Sequence, residues 1–195
     1  MESVFNNLVF ALEAWPETGQ ERDFALSPAT LTELLASGKN LEQLPVVDQG
    51  ENQSVIPKIL TSMRGHIKLM LVGRKLKVKG FFAVKVELIC ARCLTPFVSR
   101  IDDKFDDLIK LREPGKNDLR GVDANQDLDQ EGDDSAIVIR DGQSFDLAPL
   151  MAEFFWLAFP YKALCRDDCA GLCPRCGANL NEGPCYCPTQ QPTKH

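Results

Sequence analysis

Histidine is almost missing from this chain of 195 residues: there are two, His66 and His195. Imidazole is the usual acid–base group near neutral pH, so a relay built on a histidine pair has no material here. His66 reads as a structural residue at a strand edge and His195 as a disordered chain end. Also lacking is any apolar run of about 20 residues, which excludes a membrane-spanning helix. The N-terminus lacks the basic residues of a secretory or transit peptide and carries Glu2, Glu13, Glu17 and Glu21 instead. A cytoplasmic location is therefore expected. The spaced carboxylates and central glycine of a calcium-binding loop are missing too, although acids crowd residues 113–135.

What the chain does have is cysteine. Its eight cysteines fall into four close pairs: Cys90/Cys93, Cys165/Cys169, Cys173/Cys176 and Cys185/Cys187. A tetrahedral zinc ion takes four ligands, commonly as two such pairs, so eight thiols fit two closed sites and two zinc ions. Pro174 stiffens the turn between Cys173 and Cys176, and Gly177 after it allows the positive φ that folds the backbone over a metal. A disulfide framework is the alternative, but it belongs to an oxidising compartment. An iron–sulfur cluster accepts the same ligands. A redox dithiol at Cys90–Cys93 would use Arg92 to lower a thiol pKa, but no thioredoxin-like βαβ pattern surrounds it. Spacing leaves two groupings open. In one, Cys90, Cys93, Cys165 and Cys169 share an ion and Cys173, Cys176, Cys185 and Cys187 share the other. In the competing one, Cys165, Cys169, Cys173 and Cys176 sit together. The first is preferred, because a metal clip across a long loop stabilises most in principle.

Charge is strongly blocked. The formal net charge is −6, but residues 58–100 hold ten lysines and arginines against one acid, Glu87. Residues 1–57 hold two basic residues against nine acids, and residues 101–135 five against twelve. Such an acidic total excludes a generic nucleic-acid binder, whereas the basic middle points to a local anionic partner.

The hydrophobic pattern places these blocks. Residues 1–57 form an N-terminal segment, partly ordered. Its stretch Val4–Trp15 fits strand or helix, and a short helix is expected over Pro28–Ser37, opened by a Thr30-to-Glu33 capping box. From Ile67 the period becomes two. Leu76, Val78, Gly80, Phe82, Val84, Val86 and Leu88 share one face of a long strand, with Lys75, Lys77, Lys79, Phe81 and Lys85 on the other. Cys90–Cys93 then lies in a turn, and Phe97, Ser99, Ile101 and Phe105 begin the returning strand. Residues 113–135 read as an acidic exposed loop. Ile137–Ile139 make a short strand, and a core helix is expected over Leu147–Phe159 with Asp146 as its cap and Pro149 in its first turn. The expected fold is α+β: an antiparallel sheet with a zinc-ribbon-like hairpin tip, one C-terminal core helix and a short Cys-rich knuckle, with residues 58–195 as the β-rich domain and 160–187 as its metal-binding end.

Three pieces carry a resemblance. They are Cys90-Ala-Arg-Cys93-Leu94 at a strand end, the helix exit Leu157-Ala158-Phe159-Pro160, and Cys165 to Asn181 with its Gly171-Leu172-Cys173-Pro174 and Cys176-Gly177 elements. Over roughly residues 60–190 the chain resembles the YceD-type family, the large ribosomal RNA subunit accumulation proteins of bacteria and plastids. The resemblance implies a role in production, processing or stability of large-subunit rRNA. Combined with the basic strand, it leads to a non-catalytic zinc-binding factor, whose expected RNA surface is Arg74, Lys75, Lys77, Lys79, Phe81, Lys85 and Arg92. Expected partners are large-subunit rRNA, its precursor, or ribosomal proteins. The alternative is a protein-interaction module that docks a basic ribosomal protein on its acidic segments. A nuclease or thiol oxidoreductase is not expected, because closed tetrads leave no open coordination position.

Overall fold

The computed structural model describes residues 8–12, 15, 16, 18–37, 56–73, 75–112, 137–140 and 142–187. In chain order these form β1 (Val9–Ala11), β2 (Gln20–Leu26), α1 (Pro28–Ser37), β3 (Lys58–Ile59), β4 (Met63–Val72), β5 (Lys75–Ile89), β6 (Pro96–Arg112), β7 (Ile137–Arg140), β8 (Ser144–Asp146) and α2 (Ala148–Ala158). The eight strands make one sheet in the order β1-β8-β7-β6-β5-β4-β2, with β3 also paired to β5. All pairs are antiparallel except β6–β7, which run parallel at Leu111↔Ile137 and Arg112↔Val138. The architecture is α+β.

Strand β5 organises the sheet. Its even-numbered apolar residues Leu76, Val78, Phe82, Val84, Val86 and Leu88 are buried, while Lys75, Lys79, Phe81 and Lys85 face out. It pairs with β6 from Lys75↔Lys110 to Ile89↔Pro96, and with β4 from Arg64↔Ala83 to Val72↔Lys75. Both helices lie on the inner face, in the same core as Phe82 and Val84. Helix α2 packs on β6, where Phe154 stacks on Phe105 at 4.5 Å, and α1 packs on α2 and β3. Among the described residues, no element covers the outer face.

The sheet curls until its two ends meet. The Arg22 guanidinium of β2 sits 4.0 Å over the ring of Phe10 on β1, and both end strands feed one core through Leu8, Phe10, Phe24 and Leu26. Both ends therefore come from the N-terminal 57 residues. Of the two forms open to Val4–Trp15, the described part holds a strand, Val9–Ala11, in which Phe10 is buried and stacks on Phe145 at 5.7 Å. Strand β2 is not evident in the sequence, because only Phe24 and Leu26 among its seven residues are buried and the rest are mostly polar.

Helix α1 has the expected bounds but a different cap. Thr30 lies inside it, and Ser27 caps it: the Thr30 amide donates to Ser27 Oγ at 3.1 Å. The returning strand β6 is longer than its apolar pattern implies. Ile101, Phe105 and Ile109 are buried four apart, whereas Asp103 and Asp107, at the inward positions between them, stay exposed. Helix α2 begins after Leu147, with Asp146 Oδ1 accepting from the Ala148 amide at 2.9 Å and Pro149 in the first turn. Its Phe155 is fully buried; truncation there to alanine would cost about 3–5 kcal/mol.

Candidate metal centres and a basic sheet face

The β5–β6 hairpin turns through Cys90 and Cys93. The Leu94 amide donates to Cys90 O at 2.9 Å and the Cys90 amide to Thr95 O at 3.1 Å, which folds the turn under the two thiols; Leu94 takes φ 57° to do so. The chain leaving α2 returns to this tip, where the Ala91 amide donates to Ala163 O at 2.8 Å. Cys165 and Cys169 thereby face the hairpin thiols. Cys93 Sγ lies 3.7 Å from Cys165 Sγ, and Cys90 Sγ lies 3.7 Å from Cys169 Sγ. The second set forms from Cys173, Cys176, Cys185 and Cys187, with Cys173 and Cys185 Sγ 3.3 Å apart. Here the Gly177 amide donates to Cys173 O, and Gly177 adopts φ 72°. Within each set all four Sγ atoms lie within 4.8 Å of one another.

These spacings fit a metal. Zn–S bonds of about 2.3 Å in a tetrahedron put neighbouring sulfurs roughly 3.8 Å apart. All eight cysteines are free, and separations of 3.3–3.7 Å are well beyond a disulfide bond of about 2.05 Å. The first tetrad is buried apart from Cys165 and is walled by Phe97, Leu164 and Leu172; the second is more open, with Cys176 exposed.

The thiols of each tetrad divide in acidity. At Cys90, burial pushes the pKa up, but backbone hydrogen bonds from Cys93, Cys165 and Arg92 outweigh it and lower it to about 6. Thr95, through its hydroxyl and then its amide, holds Cys93 below the usual thiol range. Burial, followed by hydrogen bonding to Cys93, pushes Cys165 up to about 12. In the second tetrad the Cys176 and Arg175 amides lower Cys173 to about 6, while hydrogen bonding to Cys176, with burial, raises Cys187 to about 12. Each tetrad thus already favours thiolate at one ligand, the form that a metal requires.

Surrounding groups orient these ligands. Asn181 Nδ2 donates to Cys169 Sγ at 3.3 Å, and its Oδ1 accepts from the Ala170 amide at 2.8 Å and Arg166 Nη2 at 2.7 Å. Asn179 Oδ1 accepts from the Asn181 amide and Nδ2 at 3.1 and 2.8 Å. Both asparagines lie between Cys176 and Cys185, so a loop of the second tetrad supports the first. The C-terminal sequence motif ends at Asn181, but neither asparagine is assigned a role there. An Asn-x-Asn between two metal pairs is the available signal, since short amides bond to backbone two residues on. Arg92, expected on the RNA surface, is engaged at the metal tip: its Nη1 donates to Cys169 O at 2.9 Å.

The outer face of the sheet carries the other expected residues. Lys75, Lys77, Lys79, Phe81 and Lys85 follow each other on β5, and Arg74 lies outside the described residues. The neighbouring strands bring acid to some of them. Asp106 on β6 bridges Lys77 at 3.4 Å and Lys79 at 3.2 Å, and the Lys79 hydrogen bond holds its carboxyl below the usual 3.8. Glu21 lies 3.5 Å from Lys68 and Glu87 3.4 Å from Lys58. Lys75, Lys85 and Lys104 have no ion-pair partner among the described residues. The acidic loop 113–135, and the protein-docking alternative that relied on it, lie outside the described residues.

A curled α+β sheet whose hairpin tip and C-terminal tail converge on two all-cysteine tetrads defines a small scaffold stapled by sites that can hold metal. A family model described as large ribosomal RNA subunit accumulation protein YceD matches residues 78–195. The match covers more than half of the chain and both tetrads, and the chain belongs to that family. It is 28% identical over 149 residues to the Arabidopsis thaliana protein named large ribosomal RNA subunit accumulation protein YCED homolog 1, chloroplastic, covering 69% of this chain and 46% of the relative. It is also 28% identical over 118 residues to an uncharacterized protein of Mycobacterium tuberculosis, covering 60% of this chain and 51% of the relative. The chain spans about half the length of the curated relatives it matches. No solved structure matches it. No helix among the described residues is long and apolar enough to cross a membrane.

Proposed function

We propose that this chain is a non-catalytic cytoplasmic factor that holds two zinc ions and supports processing, stability or assembly of the large ribosomal subunit by binding its rRNA or precursor rRNA. The family's description supplies the ribosomal connection. The observation that carries the RNA reading is the outer face of the sheet, which no described element covers, where Lys75, Lys77, Lys79 and Lys85 stand on one strand and Lys68, Arg100, Lys104 and Lys110 flank them. Lysines at alternate strand positions are about 6.5–7 Å apart, near the span of one nucleotide step, so a row of them can follow a phosphate backbone. Four sulfurs at each site, with no oxygen or nitrogen, suit zinc or iron over the harder cations, and sulfurs 3.3–3.7 Å apart match the roughly 3.8 Å spacing around one zinc ion. Every thiol is directed to a tetrad, which supports a binding role over thiol redox chemistry.

The test is binding of large-subunit precursor rRNA by the zinc-loaded protein and by a Lys75→Glu, Lys77→Glu, Lys79→Glu variant across a salt series. The variant is expected to bind at least tenfold more weakly with a shallower salt dependence. Equal affinity and equal slope for the two proteins would refute the surface.

A further inference from the structure

The centre of the outer face is not simply basic. Register places nine residues in a three-by-three grid across β4, β5 and β6: Arg64, Ala83 and Asp102 in one row, His66, Phe81 and Lys104 in the next, Lys68, Lys79 and Asp106 in the third. The middle row holds two exposed rings. Phe81 is 51% exposed in mid-sheet, and its ring centroid lies 6.3 Å from that of His66 with 26° between the planes. His66 Nδ1 lies 2.9 Å from Asp23 Oδ1 of β2, which fixes the imidazole beside the phenyl ring. Phe81 belongs to the outward set of β5, so its half-exposed ring presents a flat apolar surface among lysines. Its place makes sense if something flat and anionic covers it.

We propose that this grid binds unpaired RNA nucleotides, with bases stacking on Phe81 and His66 and the adjoining phosphates held by Lys68, Lys79 and Lys104. The inference rests on the RNA-binding reading above and narrows it to single-stranded segments. Two rings 6.3 Å apart are spaced more widely than the roughly 3.4 Å step of a continuous base stack. Each ring therefore takes its own splayed base, which a duplex cannot present. Aromatic side chains on an open sheet, ringed by cations, are the usual means of holding single strands without strong sequence preference. Of the three lysines, Lys104 lies directly across from Phe81 and its ammonium has no ion-pair partner among the described residues, while Lys68 and Lys79 would exchange Glu21 and Asp106 for phosphate.

The experiment compares binding of an unstructured 12-nucleotide RNA and an RNA duplex of equal length to the zinc-loaded protein. The variants are Phe81→Val, which keeps strand propensity without the ring, and Phe81→Trp, which restores a ring; zinc content and circular dichroism check the fold. Loss of the ring is expected to weaken single-strand binding roughly 5- to 100-fold with little change in salt slope, tryptophan to restore it, and duplex binding to stay within twofold. If Phe81→Val leaves single-strand binding unchanged while the triple lysine variant still loses precursor rRNA, the stacking site is refuted and the RNA-binding function stands. A wild type that binds the duplex more tightly than the single strand refutes it too. So does ribonuclease-resistant capture of an acidic protein that Phe81→Val abolishes. If precursor rRNA itself does not bind, the broader reading fails.

Discussion

The candidate metal ligands are legible because their signal is local. Each cysteine pair is separated by at most three residues, and the chemistry of four thiols around an ion is independent of the fold that delivers them. Their support is not local in this sense. Asn181 reaches the Cys169 sulfur only because the chain after Cys176 doubles back, closing the Leu172–Asn179 bridge and the Leu180-to-Gly171 hydrogen bond. Removing Asn181 takes an N–H from a ligand sulfur and also leaves the Ala170 amide without its acceptor. Outer-shell partners of this kind typically carry 10–100-fold in metal affinity. Asn181→Ala is therefore expected to weaken zinc at the Cys90 tetrad by about that factor, read by chelator competition that resolves two ions. An equal weakening of both sites, or of neither, would contradict the assigned contact. The same residue-scale view corrects the lysine row: Lys77 and Lys79 share Asp106, a pairing across strands that no linear charge count contains.

At the scale of elements, strict alternation made β5 plain, and the apolar stripe did the same for α2. Strand β2 and the far half of β6 were hidden because their inward positions are partly charged, and the register of a neighbouring strand decides what is buried there. The close packing of β4 on β5 depends on one glycine. At Gly80, on the inner face of β5, an added Cβ would collide with the His66 carbonyl oxygen of β4 and approach Phe105 Cζ at 2.8 Å. One of these neighbours is main chain in a ladder and the other is a ring held under Phe154 at 4.5 Å, so neither yields easily. Glycine in a strand often marks such a close backbone approach. Gly80→Ala is expected to lower stability by about 1–3 kcal/mol, measured by urea denaturation, although alanine ordinarily suits a strand better than glycine. A neutral or stabilising result would show that β4 and β5 can separate there without cost.

At the scale of the molecule, the described residues form two cores of different kinds. The large one is built from both helices and the inner face of the sheet and contains no cysteine. The small one consists of Cys90, Cys93 and Cys169, walled by Phe97, Leu164, Cys165 and Leu172. Sulfur that can hold metal thus stands where a second apolar core would otherwise be needed, and Cys90 and Cys169, 79 residues apart, close a long loop. Binding energy at such a site acts as folding energy for whatever the ligands hold together. The division of cores limits how far that effect reaches. Stripping the ions with a strong chelator under reducing conditions is expected to release residues 160–187 and the hairpin tip around Cys90–Leu94, while β4, β5, the body of β6 and α2 remain protected. Hydrogen–deuterium exchange on the two forms reads this directly. The amides of Ala91, Leu94, Cys173 and Leu180, bonded only within the tip and tail, should lose protection. Amides in the β4–β5 ladder should keep theirs. Collapse of both sets together would mean that the ions support the large core as well, and that the two cores fold as one.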